Sequence, residues 1–140
     1  MGSEMCIRDS DIPYAVGVPR KHEVVLSAKP LARDYGVTAE DVAKALLDYG
    51  VHAPTIYFPP IVEEALMIEF TESEPKEAID YYARVLAEIS REAREQPENV
   101  KKRPVNTSVG RLDMVKANRM DTYIPSVRFA RKYGRRIPPL

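Results

Sequence analysis

The stretch DYGVHAPTIYFPP, residues 48–60, constrains the fold of this 140-residue chain more than any other. It places Gly50 ahead of three prolines, Pro54, Pro59 and Pro60. Glycine readily takes the left-handed conformation that ends a helix. Ala53 and Phe58 each precede a proline, which biases them towards an extended backbone. No helix runs through such a segment, because proline removes a donor and clashes with the preceding turn. The periodic patterns on its two sides therefore belong to separate elements, joined by a stiff connection that carries one imidazole, His52, and one hydroxyl, Thr55.

Upstream, HEVVLS (residues 22–27) is a short β-branched run that reads as a strand. One helical turn fits between Leu31 and Tyr35, closed by Gly36. VTAEDVAKALLDYG then opens with Thr38 as N-cap, Asp41 as its capping-box partner and Val37 poised to staple onto Val42. Val42, Ala45, Leu46 and Tyr49 make its apolar stripe. Downstream, EALMIEF (residues 64–70) sets Leu66, Ile68 and Phe70 on one face and Ala65, Met67 and Glu69 on the other, the period of a half-buried strand. TESEPKE begins a second helix, with Thr71 and Glu74 at capping-box spacing and Pro75 in the first turn. Its stripe is Ile79, Tyr82, Ala83, Leu86, Ile89 and Ala93, and Arg84 stands four residues from both Asp80 and Glu88. It should stop near Gln96, before Pro97. Leu46, Leu66, Ile68 and Leu86 are the expected core.

These elements predict a small α+β domain over residues 11–96, a short sheet covered by helices, followed by an irregular basic tail over residues 97–140 that wraps outside it. RLDMVKAN (residues 111–118) offers two helical turns within that tail. The opening MGSEMCIRDS, residues 1–10, has no periodicity, carries a second Met and the single cysteine, and is set apart as a non-native leader. A lone Cys6 excludes a disulfide framework and a cysteine-built metal site. The net charge of zero conceals a split. Residues 1–96 carry ten Lys and Arg against eighteen Asp and Glu, and residues 97–140 carry eleven against three. The tail is thus expected to fold back on the acidic body or to meet an acidic partner. No apolar run reaches membrane-spanning length, and a cytoplasmic setting is the default.

Chemistry is sparse. His22 and His52 lack metal-ligand spacing, the six glycines form no phosphate loop, and no nucleophile elbow is present. Glu63, Glu64, Glu72 and Glu74 read as solvated or capping groups, and His22 as a strand-edge residue. His52 and Thr55 are different, because glycine and proline leave them little freedom, as a preorganised site requires. The alternative for His52 is a structural imidazole bonded to a nearby carbonyl.

His22-Glu23 before a short strand, followed by DYGVTAEDVAKALLDYGVHAPTIYFPPIVEEALMIEFTESEPKE, resembles the C-terminal part of the glycine cleavage system P-protein family. HAPT, LMIE and TESE with the following KE carry the likeness over residues 20–95, and PV with RLDMVKAN carries it loosely over 103–118. YFPPIVEEALMIE looks closer to the separate second subunit of two-gene forms than to the long single-chain form. The resemblance implies the small C-terminal domain of a fold-type-I, aspartate-aminotransferase-like enzyme. It also implies pyridoxal phosphate as cofactor, decarboxylation of glycine, and passage of the aminomethyl group to the lipoyl arm of H-protein. It further implies a first P-protein subunit or preceding domains as partners, and an oligomer.

Two departures stand out. The family has proline where this chain has Phe70, and the lysine that forms the Schiff base follows a histidine upstream, whereas here only the reversed Lys21-His22 occurs. The chain is therefore expected to be a fragment that lacks the cofactor-bearing domain, supplies no catalytic residue and is inactive alone, with His52 and Thr55 forming a wall of the active site. Two other readings compete. One is the small domain of a different pyridoxal-phosphate enzyme. The other is a polyanion-binding module using Lys101–Arg103 and Arg128–Arg136, for which sparse aromatics give nucleic acid little support.

Overall fold

Two short patterns of period two build the sheet. β1 (Glu23–Ser27) pairs antiparallel with β3 (Ala65–Glu69), setting Val24 opposite Ile68 and Leu26 opposite Leu66. These four side chains share one face, and Leu26, Leu66 and Ile68 are buried in the core. The other edge of β3 takes a strand that the sequence reads only as loop: β2 (Thr55–Ile56), with Thr55 opposite Met67 and Ile56 opposite Leu66. The order β1-β3-β2 makes β3 the central strand of a small α+β fold. The computed structural model describes residues 22–118. Past β3, Phe70 donates its backbone N–H to His22 O at 3.1 Å and sets its ring edge-on against Tyr82, with centroids 5.2 Å apart. A proline at this position could not make that hydrogen bond, so the departure at Phe70 lengthens the ladder.

The helices fall where caps and stripes put them, with two exceptions. α1 (Lys29–Tyr35) ends at Gly36, whose φ is +66°. α2 (Ala39–Asp48) carries the complete capping box: the Thr38 hydroxyl accepts from Asp41 N at 3.2 Å and Asp41 Oδ2 accepts from Thr38 N at 2.8 Å. Val37 and Val42 are both buried in the core. Gly50 closes the helix at φ +69°, with Gly50 N donating to Leu47 O and Val51 N to Leu46 O, the paired bonds of a Schellman motif.

α3 (Lys76–Glu95) is the first exception, since it starts after the expected cap. Pro75 is its N-cap rather than part of its first turn, and Thr71 caps nothing, because its hydroxyl meets that of Ser73 at 2.8 Å. Glu74 precedes a proline and is steered away from helix, so residues 71–74 close as a turn, Glu74 N to Thr71 O. The buried face is Tyr82, Val85, Ile89, Ser90 and Ala93, while Leu86 is only half-buried against the core. Arg84 is not the hub of surface pairs: Asp80 pairs with Lys76, and Glu88 with Arg91.

The second exception is α4 (Pro97–Lys102), which packs on α2 and α3 in a region where sequence periodicity is weak. Its Val100 is fully buried. Beyond α4 the chain is fastened by charge. The Asp48 side chain has no exposed surface and accepts from Arg103 Nη1 (3.1 Å), Val105 N (2.8 Å) and Asn106 N (2.7 Å). Arg103 also donates to both oxygens of Glu92 and stacks over Tyr49, 5.2 Å from the ring centroid. Burial alone would raise the Asp48 carboxyl. The amides of Asn106 and Val105 and the Arg103 guanidinium outweigh it and hold the group below the ordinary carboxylate range.

Of the described residues, 22–110 belong to one compact unit and 111–118 to another. In the second, RLDMVKAN gives one helical turn rather than two, α5 (Met114–Ala117), capped by Asp113, whose carboxylate accepts from Lys116 N at 3.0 Å. The leader of residues 1–10 and the basic positions 128–136 lie outside the described residues. No helix among the described residues is long and apolar enough to cross a membrane.

Leu66→Ala should lower the unfolding free energy by about 2–5 kcal/mol in urea titrations, because a fully buried central-strand side chain leaves a cavity. The Asp48 lock should appear as pH dependence. A carboxyl depressed by folding contributes stability above its unfolded pKa of about 4, and that contribution is lost as pH falls through the lower folded value. Asp48→Asn should unfold more easily at neutral pH and show a shallower loss of stability as pH falls below about 4.

Candidate functional site

The segment from Gly50 to Thr55 is anchored at both ends. At its start the Schellman bonds are joined by the Tyr81 hydroxyl, which donates to Tyr49 O at 3.0 Å and ties α3 to the end of α2. At its finish Thr55 and Ile56 are laddered to β3, and Tyr57 N donates to Ala65 O at 2.9 Å. Only a few residues span the gap, and Pro54 stiffens them. Between this segment, the end of β3 and the start of α3 lies a cleft of about 700 Å³. Val51, Met67, Ile68, Phe70 and Tyr82 supply apolar walls, and His52, Thr55, Glu69, Thr71, Glu74 and Tyr81 supply polar groups.

His52 and Thr55 thus line one cleft, and both are exposed. Among the described residues neither side chain has a hydrogen-bond partner, a carbonyl for the imidazole included. Glu69 and Glu74 line the same cleft, exposed and without an ion pair among the described residues. Glu69 faces Glu23 across the ladder, which makes this side of the sheet anionic. Sequence reasoning missed Glu69, Tyr81 and the cleft position of Glu74. The available signals were the outward register of Glu69 and the Tyr81-Tyr82 pair, one member on each face of α3.

The remaining candidates sit elsewhere. Glu63 pairs with Lys29 at 2.9 Å, Glu64 Oε2 accepts from Ala39 N at 2.6 Å at the start of α2, and Glu72 is exposed. His22 is an exposed strand-edge residue whose Nε2 lies 3.9 Å from Glu23. Of the described tail cations, Lys101 pairs with Glu98 and Arg103 is committed to the Asp48 lock. Among the described residues no cluster of His, Cys, Asp or Glu is arranged to hold a metal ion. The cleft lining contains neither lysine nor arginine. It offers no amine for an imine and no cation for a phosphate, so these residues do not fit a pyridoxal-phosphate holder on their own.

Comparison with known proteins gives this geometry its context. Residues 15–109 match the family described as "Glycine dehydrogenase, C-terminal domain". The chain belongs to this family. Three relatives carry the name "Probable glycine dehydrogenase (decarboxylating) subunit 2". The one from Aeropyrum pernix is 63% identical over 117 residues, 84% of this chain and 22% of the relative. That from Staphylothermus marinus is 59% identical over 133 residues, 91% of this chain and 26% of the relative. That from Saccharolobus solfataricus is 59% identical over 112 residues, 80% of this chain and 22% of the relative. The chain therefore spans about a quarter or less of the length of the curated relatives it matches. The likeness read from HAPT, LMIE and TESE holds, and the matched region runs on through residue 109.

The two tyrosines of this glycine dehydrogenase C-terminal domain make a matched test. Tyr82 is buried, its hydroxyl has no hydrogen-bond partner among the described residues, and burial pushes its phenol well above the ordinary value. Tyr81→Phe should cost about 0.5–1.5 kcal/mol by removing the bond to Tyr49 O. Tyr82→Phe should be neutral or stabilising by about 1 kcal/mol, because it deletes an unsatisfied buried group. Chemical denaturation of both variants checks the contrast.

Proposed function

We propose that this chain serves as the C-terminal domain of a glycine-decarboxylating enzyme, and that its cleft forms one wall of the active site. The match of residues 15–109 to the glycine dehydrogenase C-terminal domain carries this reading. The position of His52 and Thr55 supports it, since both line the cleft and neither side chain is hydrogen-bonded among the described residues. In this proposal the domain is the small domain of a fold-type-I enzyme. Pyridoxal phosphate and its lysine reside in the part of the enzyme outside this chain, because the cleft supplies neither imine-forming amine nor phosphate-binding cation. The aminomethyl group passes to lipoyl H-protein in a cytoplasmic setting. A first subunit or preceding domains complete an oligomer.

Within that enzyme the chain's residues act by positioning. The His52 imidazole can hold or move one proton at a ring nitrogen, and the Thr55 hydroxyl can donate one hydrogen bond across the cleft. Both are delivered by a backbone fixed before substrate arrives, so little conformational entropy is lost when the cleft closes. Apolar walls on Val51, Met67 and Phe70 exclude water and strengthen such polar contacts.

In the full enzyme, His52→Ala should reduce glycine decarboxylation by roughly a hundredfold or more. Thr55→Val should reduce it less. Thermal unfolding of both should stay close to that of the unsubstituted enzyme, since neither side chain is buried. Single-turnover rates and unfolding curves on the same preparations check this, and a stable, fully active His52→Ala enzyme would overturn the active-site role.

A further inference from the structure

Directly after β2 in the chain, residues 57–62 read Tyr-Phe-Pro-Pro-Ile-Val, six consecutive residues without a charge. Tyr57 is 48% exposed, Phe58 52% and Ile61 82%. Within the run Phe58, Pro60 and Ile61 are exposed while Pro59 is half-buried, and exposed apolar side chains grouped this closely mark an interaction surface. The run is also held in place. Tyr57 N donates to Ala65 O at 2.9 Å and Val62 N to Pro59 O at 3.0 Å. Val62 is buried and pins the base of the loop. Tyr57 has φ +59°, a left-handed conformation that costs a non-glycine residue on the order of 1 kcal/mol and is kept only where the surroundings enforce it. Glu64, at φ +51°, closes the loop by bonding Ala39 N. The Tyr57 phenol is turned to Thr38 and the Glu40 backbone at the start of α2, which leaves Phe58 and Ile61 as the displayed apolar groups of a rigid loop whose ordering entropy is already lost on folding.

We infer that the loop carrying Phe58 and Ile61, anchored by Tyr57, is a docking knob that seats in an apolar groove of the larger part of the enzyme, the polypeptide that the longer relatives have outside the span matched to this chain. That occupant follows from length. The relatives extend over several times the span that matches this chain, so most of their surface belongs to residues outside it. Lys29 pairs with Glu63 at the base of the loop, which neutralises its rim and leaves an apolar contact. Docking here requires no catalytic role for His52.

The test uses the full-length Aeropyrum pernix relative with its matched segment replaced by this chain's residues, beside the isolated 140-residue chain. Hydrogen exchange at the Phe58 and Ile61 amides should be at least about tenfold slower in the full-length protein than in the isolated chain. Phe58→Ser with Ile61→Ser should leave the melting temperature of the isolated chain within a few degrees. In the full-length protein the same pair should split the single unfolding transition into two. Equal exchange in both contexts, or an unsplit transition in the substituted full-length protein, would overturn the inference. So would concentration-dependent dimerisation of the isolated chain that the serine pair abolishes, since the occupant would then be a second copy. Val109→Ser, at another exposed apolar position, should change neither readout.

Discussion

A carboxylate with no exposed surface holds this domain in register. Asp48 is the last residue of α2, and it collects the Val105 and Asn106 amides together with one arm of Arg103. The same guanidinium reaches Glu92 on α3 and covers the Tyr49 ring. Removing three charged groups from water is costly, and replacing one partner alone leaves a buried charge uncompensated. The lock is therefore a device for geometry more than for net stability. It fixes the end of α2 against the last turn of α3 and brings the chain beyond α4 back across both.

The course of the loop depends on that fixed point. Tyr49 is gripped from one side by Arg103 and from the other by the Tyr81 hydroxyl on its carbonyl. One residue later Gly50 turns left-handed, and within five residues the chain is hydrogen-bonded to β3. A segment so short between two anchors has few conformations open to it. His52 and Thr55 are thus presented to the cleft by the backbone rather than by bonds to their own side chains. Among the described residues their polar atoms have no partner, which suits the active-site wall proposed above.

Local signals are legible in the sequence because they act over a few residues. The capping box of Thr38 and Asp41, the left-handed stop at Gly50 and the alternation through Leu66 and Ile68 all appear in the structure. Family membership is legible in words such as HAPT and TESE, and the match over residues 15–109 shows it. The misses involve competition or distance. Thr71 and Glu74 have capping-box spacing, but Pro75 controls the backbone before them and moves the helix start. β2 is two residues long, too short for a pattern, and exists because β3 offers an unpaired edge. The partnership of Asp48 with Arg103 joins residues 55 apart, and no periodicity encodes it. α4 is hidden in the sequence because its single buried anchor, Val100, sits among charges that serve its exposed sides.

A rigid backbone, held by the Asp48–Arg103 lock, delivers His52 to the cleft. Backbone order parameters from nitrogen relaxation at His52, Ala53 and Thr55 test this delivery most directly. The expected values are near 0.85, as for the flanking helix, with a clear fall at all three positions in Arg103→Met. Values below about 0.6 in the unsubstituted chain, or values unmoved when Arg103 is replaced, would contradict it.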